Sequence, residues 1–179
     1  MKLTDAEIEK LRQSGIRLDG DGRFWHEGAE VTHHGLRAAL WRWLDRNPDG
    51  RWVLRLDDKR FVWLDVDDVP YVVRSARWDG ERAQLRLSDD SDEELAYDSL
   101  HLRAGRPYCT VKGGRFEARV STLAWNTLGE RIDDGSLRAN GRNWPIAGRF
   151  SPATRRSAGP FPNTSGVMLV FRLMHCGTC

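Results

Sequence analysis

The stretch YVVRSARWDGERAQLRL, residues 71–87, decides the fold, because it is typical of two strands joined by a tight turn. Asp79-Gly80 at its centre is a signature of the two-residue type I′ turn of β-hairpins. This turn places Trp78 opposite Glu81 and so sets the register of both strands. One face of the hairpin is then apolar and is predicted to lie on a core: Val72, Ala76, Trp78, Ala83, Leu85 and Leu87.

The other face of the hairpin carries three arginines, Arg77, Arg82 and Arg86, beside Tyr71 and Val73. The predicted register places Arg77 directly opposite Arg82. Like charges that oppose each other across two strands are unfavourable unless carboxylates or a bound anion relieve them. One interpretation is that the counter-charge comes from the acidic run at residues 89–94, or from Asp65, Asp67 and Asp68. The other is an anion site, for a phosphate, a nucleotide or an acidic peptide.

Upstream of the hairpin, a helix is predicted from His33 to Asp45, with Thr32 as its N-cap. Trp41 lies off the apolar face of this helix, one turn after Arg37. Such a pair either packs against another part of the chain, here the C-terminal half, or lines a ligand site between the halves. The apolar face itself consists of Leu36, Ala39, Leu40, Trp43 and Leu44.

The rest of the pattern predicts short strands and two more helices, and so an α+β protein. Thr4-Asp5-Ala6-Glu7 is typical of a capping box, which begins a helix that ends at Gly15. Another helix is expected from Ser121 or Thr122 to Asp134. Residues 88–107 are interpreted mainly as a loop, and the tail from Phe150 as loosely ordered. Further strands are predicted within residues 16–28 and at 52–56, 61–66, 108–111 and 116–120, and a last hairpin turns at Asn140-Gly141.

Composition favours a globular, cytoplasmic protein. Twenty-eight Lys and Arg face 26 Asp and Glu, so the formal net charge of +2 is too small to favour nucleic acid. The N-terminal MKLTDAEIEKL has acids and no apolar core, so no secretory signal is expected. No apolar run approaches the ~20 residues that span a bilayer. Three cysteines, Cys109, Cys176 and Cys179, form no disulfide framework.

No motif supports a committed catalytic mechanism, and neither a metal nor a cofactor is predicted. G-x-S-x-G, a Walker loop and a strand-linked G-x-G-x-x-G are all missing. Cys109 lies in the middle of a predicted strand and is interpreted as a small buried residue. His175-Cys176-x-x-Cys179 is one ligand short of a zinc site. A second group of polar residues could suggest a metal site: His26, Glu27, Glu30, His33 and His34. The side chains of adjacent histidines on a helix point about 100° apart, so both cannot easily face one ion, and no metal is predicted here.

Three short motifs, in this order, resemble the bacterial domain-of-unknown-function family 1285. They are Asp21-Gly22-Arg23-Phe24-Trp25-His26-Glu27-Gly28, Asp68-Val69-Pro70-Tyr71-Val72 and Gly113-Gly114-Arg115-Phe116-Glu117-Ala118-Arg119. The resemblance runs from about Ile16 to Ala147. It implies a two-part α+β fold with repeated units, a C-terminal part superficially like a pleckstrin-homology domain, a ligand site between the parts and a role in signalling. A faint internal echo, Gly22-Arg23-Phe24 and Gly114-Arg115-Phe116, agrees with a duplication.

We therefore divide the chain into an N-terminal helix (1–15), an N-terminal α+β unit (16–68), a β-rich C-terminal α+β unit (69–149) and a tail (150–179). The leading hypothesis is a non-enzymatic binding protein that recognises an anionic small molecule or an acidic partner between its halves. Its candidate contacts are Arg37, Trp41, Arg77, Arg82 and Arg86. One alternative is an enzyme whose site is assembled from scattered residues that include His26 and Glu27. A second alternative is a nucleic-acid binder.

Overall fold

The computed structural model describes residues 12–148, which form an α+β protein, as predicted. Two six-stranded sheets, a small three-stranded sheet and two α-helices make up this part of the chain. The first sheet contains β1 (Gln13–Leu18), β2 (Phe24–His26), β3 (Ala29–Glu30), β4 (Leu44–Arg46), β5 (Trp52–Arg55) and β6 (Phe61–Val66). The second contains β7 (Tyr71–Asp79), β8 (Arg82–Leu87), β9 (Asp92–Glu94), β10 (His101–Arg103), β11 (Arg106–Val111) and β12 (Phe116–Val120). The third contains β13 (Ile132–Asp133), β14 (Ser136–Ala139) and β15 (Arg142–Pro145), and the helices are α1 (His34–Trp43) and α2 (Thr122–Gly129).

The two large sheets share one topology. Their strand orders are β3-β2-β1-β6-β5-β4 and β10-β11-β12-β7-β8-β9. Each sheet therefore consists of two antiparallel three-stranded meanders, joined where the first strand of one pairs in parallel with the last strand of the other. The echo of two tripeptides does not follow this repeat, because Phe24 begins β2 and Phe116 begins β12, which are not equivalent strands.

The hairpin of β7 and β8 forms, but its register differs from the predicted one by one residue in each strand. Asp79 pairs with Arg82 and Trp78 pairs with Ala83, so the turn consists of Gly80 and Glu81. Gly80 has a φ of 55° and Glu81 a negative φ, which matches a type II′ turn with glycine in its first position. Asp-Gly fits a type I′ turn and Gly-Glu fits a type II′ turn, so the sequence admits both.

Because both strands shift together, the residues near the turn keep their predicted faces while their partners change. Ala83, Leu85 and Leu87 are fully buried, as predicted. Further along, an irregularity between Val73 and Ser75 inserts one residue into β7. A bulge of this kind reverses the alternation of side chains. Tyr71 and Val73 consequently lie in the core, and their predicted place on the arginine face was wrong.

Helix α1 is shorter than predicted and begins one residue later. His33, not Thr32, is its N-cap, and its Nδ1 accepts a hydrogen bond from the amide of Leu36 at 3.2 Å. The helix ends at Trp43 because Leu44 already has extended backbone and starts β4. Leu36, predicted on the core face, is 45% exposed, whereas Trp41, predicted off that face, is only 8% exposed.

Other boundaries also differ. Arg12, the first described residue, is helical, but β1 begins at Gln13, so the predicted helix does not reach Gly15. The residues of that helix before Arg12 lie outside the described part of the chain. Ser121 caps α2, as predicted, but the helix ends at Gly129 and not near Asp134. Residues 88–107 contain two short strands and a 3₁₀ turn, so they are more regular than the predicted loop. The tail from Phe150, including the terminal His-Cys-x-x-Cys, lies outside the described residues.

The linker between the large sheets is anchored by Asp68. Its carboxylate accepts hydrogen bonds from the Arg103 guanidinium at 3.0 Å and from the Tyr108 hydroxyl at 2.9 Å. Arg103 in turn pairs with Glu117 at 2.9 Å. Through these contacts the linker is held on β10–β12.

Within residues 12–148, no helix combines the length and apolar character that crossing a bilayer requires.

A close backbone approach joins the sheets on the side of the β1–β2 turn. Gly22 has a φ of 75°, and a Cβ atom there would lie 2.6 Å from the Cβ of the buried Ser88. The guanidinium of Arg119 donates a hydrogen bond to the carbonyl of Gly20 and pairs with Asp21 at 3.2 Å. Because a Cβ atom at position 22 would collide with Ser88, only glycine fits there.

The Trp41 side chain is buried between the two large sheets, so its removal should destabilise the whole fold. We expect Trp41→Ala to lower the free energy of unfolding by about 3–5 kcal/mol, since a buried indole is replaced by a cavity. Urea unfolding followed by far-ultraviolet circular dichroism measures this loss. Leu123→Ala, at a position that is 65% exposed, is the control and should change stability by no more than about 0.5 kcal/mol. Similar losses in both variants would contradict the assigned packing.

Candidate functional site

The three predicted site arginines of the hairpin lie on its outward face, but they do not form one crowded group. In the register of β7 and β8, Arg77 lies opposite Gln84 and Arg82 lies opposite Asp79. Arg86 forms an ion pair with Asp92 at 3.1 Å. The acidic run thus supplies the counter-charge of Arg86, as one of the two interpretations expected. The direct opposition of Arg77 and Arg82, on which the predicted patch depended, is absent because of the register.

Arg37 and Trp41 separate in the structure, although they were predicted as a pair. The guanidinium of Arg37 lies 3.3 Å from Asp90, whose other oxygen is 3.3 Å from Arg74. Asp90 therefore bridges cations from both halves of the molecule. Trp41 instead packs between the halves, as one of its two interpretations expected. Its ring centroid is 4.9 Å from that of Phe24 and 4.9 Å from that of Tyr71.

A cleft of about 250 Å³ opens beside Trp41, between the two large sheets. Its floor is aromatic, because Tyr71 packs against Trp41 and against Phe116, at 4.9 and 5.3 Å between ring centroids. These three side chains are no more than 8% exposed. We call this depression the inter-sheet cleft; it is lined by Trp41, Arg42, Trp43, Leu44, Asp45, Arg55, Tyr71, Lys112, Arg115 and Phe116.

The rim of the inter-sheet cleft has an excess of positive charge. Four cations, Arg42, Arg55, Lys112 and Arg115, face a single carboxylate, Asp45. Arg42 and Arg55 belong to the first half, whereas Lys112 and Arg115 come from the β11–β12 turn of the second. A larger depression of about 360 Å³ beside β13 and β14 has no such excess, since its three acids outnumber its two arginines.

Asp45 binds two of these cations at once. Its Oδ2 accepts a hydrogen bond of 2.9 Å from Nε of Arg55, and its Oδ1 lies 3.5 Å from the Arg115 guanidinium. Arg55 also donates to the side chain of Asn47 at 3.1 Å. Arg55 is therefore fixed on its own sheet, while Arg115, 67% exposed, is held only loosely from across the cleft.

Lys112 is held by a separate polar cluster on the second half. Its ammonium donates to Asp89 at 2.7 Å and to Ser91 at 2.5 Å, and the Ser91 hydroxyl donates to Asp89 at 2.6 Å. The backbone amide of Lys112, which has a φ of 55°, donates to the carboxylate of Glu93.

Burial acts to raise the pKa of Asp89, but the hydrogen bonds from Lys112 and Ser91 outweigh it and hold this pKa below its ordinary value of 3.8. The carboxylate is therefore charged at neutral pH and keeps the ammonium of Lys112 in place. Tyr71 shows the opposite effect. Burial, with a contribution from Asp89, raises the pKa of its hydroxyl, which stays protonated at neutral pH.

The Tyr71 hydroxyl makes no hydrogen bond with any side chain or backbone group of residues 12–148, although it has a donor to offer. Its phenol ring lines the inter-sheet cleft, and the Lys112 ammonium lies 5.4 Å from the ring centroid. A ligand in the cleft would meet the Tyr71 side chain together with the cationic rim.

The residues named for catalysis or metal binding do not converge. His26 and Glu27 are exposed at the β2–β3 turn, where Glu27 has a φ of 50°, and neither lines the cleft. The other polar residues of that group, Glu30, His33 and His34, are exposed as well. Among the described residues, no cluster of three His, Cys, Asp or Glu side chains could hold a metal ion.

Sequence reasoning missed most of the cleft, yet a signal for part of it was present. Tyr71, Arg115 and Phe116 belong to two of the three motifs that carry the family resemblance. Phe24, from the remaining motif, contacts Trp41. The three motifs therefore meet in one chain of contacting rings, in which Trp41 joins Phe24 to Tyr71 and Tyr71 contacts Phe116. Arg42, Asp45 and Arg55 carried no comparable signal, because only the folded sheets bring them to this place.

Comparison with known proteins identifies the fold. No protein-family model matches the sequence, and no curated protein is significantly similar to it. A solved DUF1285 family protein from Silicibacter pomeroyi DSS-3 is similar to the chain, with a TM-score of 0.61 and 19% identity over 74% of this chain and 79% of that one. Another from Shewanella baltica OS155 has a TM-score of 0.55 and 11% identity over 66% and 92%. The chain thus has the fold of DUF1285 family proteins, which confirms the resemblance at the level of the fold.

Asp89 should stabilise the protein at neutral pH and lose this effect in acid. Since its pKa is lowered by folding, the stabilisation is complete well above pH 4 and disappears as the pH falls through the native pKa. We expect Asp89→Asn to lose about 1–3 kcal/mol at pH 7, because the Lys112 ammonium loses its charged acceptor. Urea unfolding at pH 7, 5 and 3 should show the difference from wild type shrinking toward pH 3. The exposed Asp58→Asn serves as the control, and a loss that does not depend on pH would refute the assignment.

Cys109 should be unreactive in the folded protein. Burial, assisted by the nearby carboxylates of Glu93 and Glu117, raises the pKa of its thiol to about 12. At pH 8 the reactive thiolate is then on the order of one part in 10⁴. Iodoacetamide followed by peptide mass mapping should find Cys109 unmodified in buffer and modified in 8 M urea (about the concentration used for full denaturation). Modification of Cys109 in buffer at the rate seen in urea would contradict this burial.

Proposed function

We propose that this protein is a non-enzymatic binding protein whose inter-sheet cleft takes a small anionic molecule. The observation that carries the proposal is the rim, where Arg42, Arg55, Lys112 and Arg115 meet above an aromatic floor. Asp45 in the cleft and Asp89 beside Lys112 balance only part of this charge, so an excess of positive charge remains. The cations come from both halves of the molecule, so a bound anion would contact both. Guanidinium and ammonium groups at such a rim give charge-assisted hydrogen bonds, which are the strong ones for phosphate and carboxylate groups.

The size of the cleft limits the ligand. Sites for drug-sized ligands usually enclose about 300–1,000 Å³, and this cleft is smaller, at about 250 Å³. A ligand the size of inorganic phosphate, pyrophosphate or a small phosphorylated metabolite fits this space better than a dinucleotide does. The aromatic floor excludes water from one side of the ligand, which strengthens the contacts at the rim.

The proposed ligand is still an anionic small molecule, but the residues proposed to bind it differ from the predicted ones. Trp41 remains in the proposed site, whereas Arg37 is engaged by Asp90, and the outward Arg77, Arg82 and Arg86 do not line the cleft. The outward arginines stay candidates for contact with an acidic protein partner. A cytoplasmic signalling role, and a pleckstrin-homology-like character of the second sheet with α2, also remain part of the proposal.

The alternatives are less well supported by the geometry. An enzyme would need an acid and a base within hydrogen-bond reach of one cleft. The carboxylate in the cleft, Asp45, is already bound to two guanidinium groups. A nucleic-acid binder would need a continuous basic surface with exposed aromatic rings. The rings of the cleft floor are buried, and the surface arginines Arg37 and Arg86 are each paired with an aspartate.

Anion binding in the cleft can be tested with pyrophosphate as the probe and with sodium chloride at equal ionic strength as the solution control. At 100 times its Kd a ligand stabilises the folded state by about 2.7 kcal/mol, which is a rise in melting temperature of roughly 5 °C or more for a domain of this size. We expect this rise in the wild type. The double variant Arg42→Gln/Arg115→Gln should lose it, because it removes one cation from each side of the cleft.

The matched control is Arg77→Gln/Arg82→Gln, which removes the same charge from the outward face. This control should keep the wild-type response to pyrophosphate. If neither phosphate, pyrophosphate nor sulfate stabilises the wild type, the proposed function is wrong. If the control loses the response and the cleft variant keeps it, the anion site lies on the hairpin instead.

A further inference from the structure

We propose that the Asp45–Arg115 ion pair is a latch across the inter-sheet cleft, which a bound anion opens by taking Arg115 from Asp45. This inference rests on the proposed anion site and adds a regulatory step to it. Asp45 lies in β4 of the first sheet and Arg115 in the β11–β12 turn of the second. The pair therefore joins the two walls of the cleft directly.

The two contacts of Asp45 differ in strength, which decides where the latch opens. The contact with Arg55 is a hydrogen bond of 2.9 Å, and Arg55 is further held by Asn47. The contact with Arg115 is 3.5 Å, which is long for a hydrogen bond, and it involves a side chain that is 67% exposed. Exposed ion pairs contribute little to stability, so the Arg115 contact is the one that a ligand breaks.

Asp45 is a competitor of the ligand as well as a link between the walls. It is the single carboxylate of the cleft lining, and it occupies a cation that the anion needs. Because it is tethered beside Arg115, its effective concentration is high, in the range of about millimolar. A free monocarboxylate would form the same type of ion pair with Arg115 as Asp45 does, so it would not displace Asp45. The ligand that opens the latch should thus carry at least two negative charges, as phosphate-type groups do.

Once Arg115 is released, it can turn toward the anion without losing its support. Its guanidinium already lies 5.2 Å from the ring centroid of Phe116, on the cleft floor. Asp45 keeps Arg55 as its partner, so no buried charge is left alone. The open and closed arrangements thus differ in one ion pair, and the ligand supplies the replacement.

If this latch exists, removing the Asp45 carboxylate should increase the affinity for the anion and lower the stability of the protein without ligand. Isothermal titration calorimetry with pyrophosphate should give a Kd for Asp45→Asn that is lower than for wild type by up to about fivefold, since a competing ion pair worth up to about 1 kcal/mol is gone. The melting temperature without ligand should fall, because Arg55 and Arg115 lose a shared partner. Acetate should not shift the melting temperature of the wild type beyond the effect of chloride.

Asp67→Asn is the matched control, because it removes the same charge from an aspartate paired with Arg17 at 3.1 Å, and Asp67 does not line the cleft. It should leave the Kd unchanged. Should Asp45→Asn not fold, Asp45→Ser replaces it, with the same expectation. Pyrophosphate that binds the wild type but binds the Asp45 variant equally or more weakly would overturn the latch and leave the anion site standing. Absence of binding to both proteins would overturn the anion site and the latch together.

Discussion

The burial of one indole between two sheets is the constraint on which the rest of this structure depends. Each sheet has an apolar face that must be covered, and neither helix covers both. Trp41 extends from α1 of the first half into contact with Tyr71 of the second, and Phe24 closes the other side. Trp52 and Phe116 add a second stacked pair across the same boundary, at 5.9 Å. The relative position of the sheets, and with it the cleft beside them, follows from this packing.

Charge is arranged around that aromatic contact in a consistent way. Cations from both halves reach the edge of the buried rings, and Arg55, Lys112 and Arg115 are each restrained by an aspartate on the same half or across the boundary. Asp45, Asp89 and Asp90 each bind a basic side chain near the boundary. Without these aspartates, the like charges of the rim would repel one another. The cleft is thus both positively charged and stable without a ligand.

Much of the local structure could be predicted, because it depends on neighbours in the chain. The hairpin at 71–87, the strands around Gly113-Gly114, the Ser121 cap and the Asn140-Gly141 turn all formed where expected. The hairpin partners could not be predicted, since Gly80 suits two turn types and the bulge near Arg74 has no signature in the sequence. The bulge matters most, because it moves Tyr71 from the predicted polar face into the core.

The candidate site was predicted only in part, for a physical reason. Trp41 was singled out because it lies off the apolar face of its helix, and this face was defined without knowledge of a second sheet. The helix in fact buries Trp41 and exposes Leu36, so tertiary packing overrode the periodicity. Arg42, Asp45 and Arg55 come to the cleft from different elements, and no local pattern brings such residues together.

The parallel pairing that closes each large sheet has a consequence for synthesis on the ribosome. β1 must wait for β6, and β7 for β12, so each first strand emerges about 50 residues before its central partner. The N-terminal sheet can be complete while Tyr71 is still inside the ribosomal tunnel and before Phe116 has been synthesised. During that interval the indole of Trp41 faces water on a half-built protein. A nascent chain of this fold therefore exposes an apolar aromatic surface, which chaperones can bind before the second half has been synthesised.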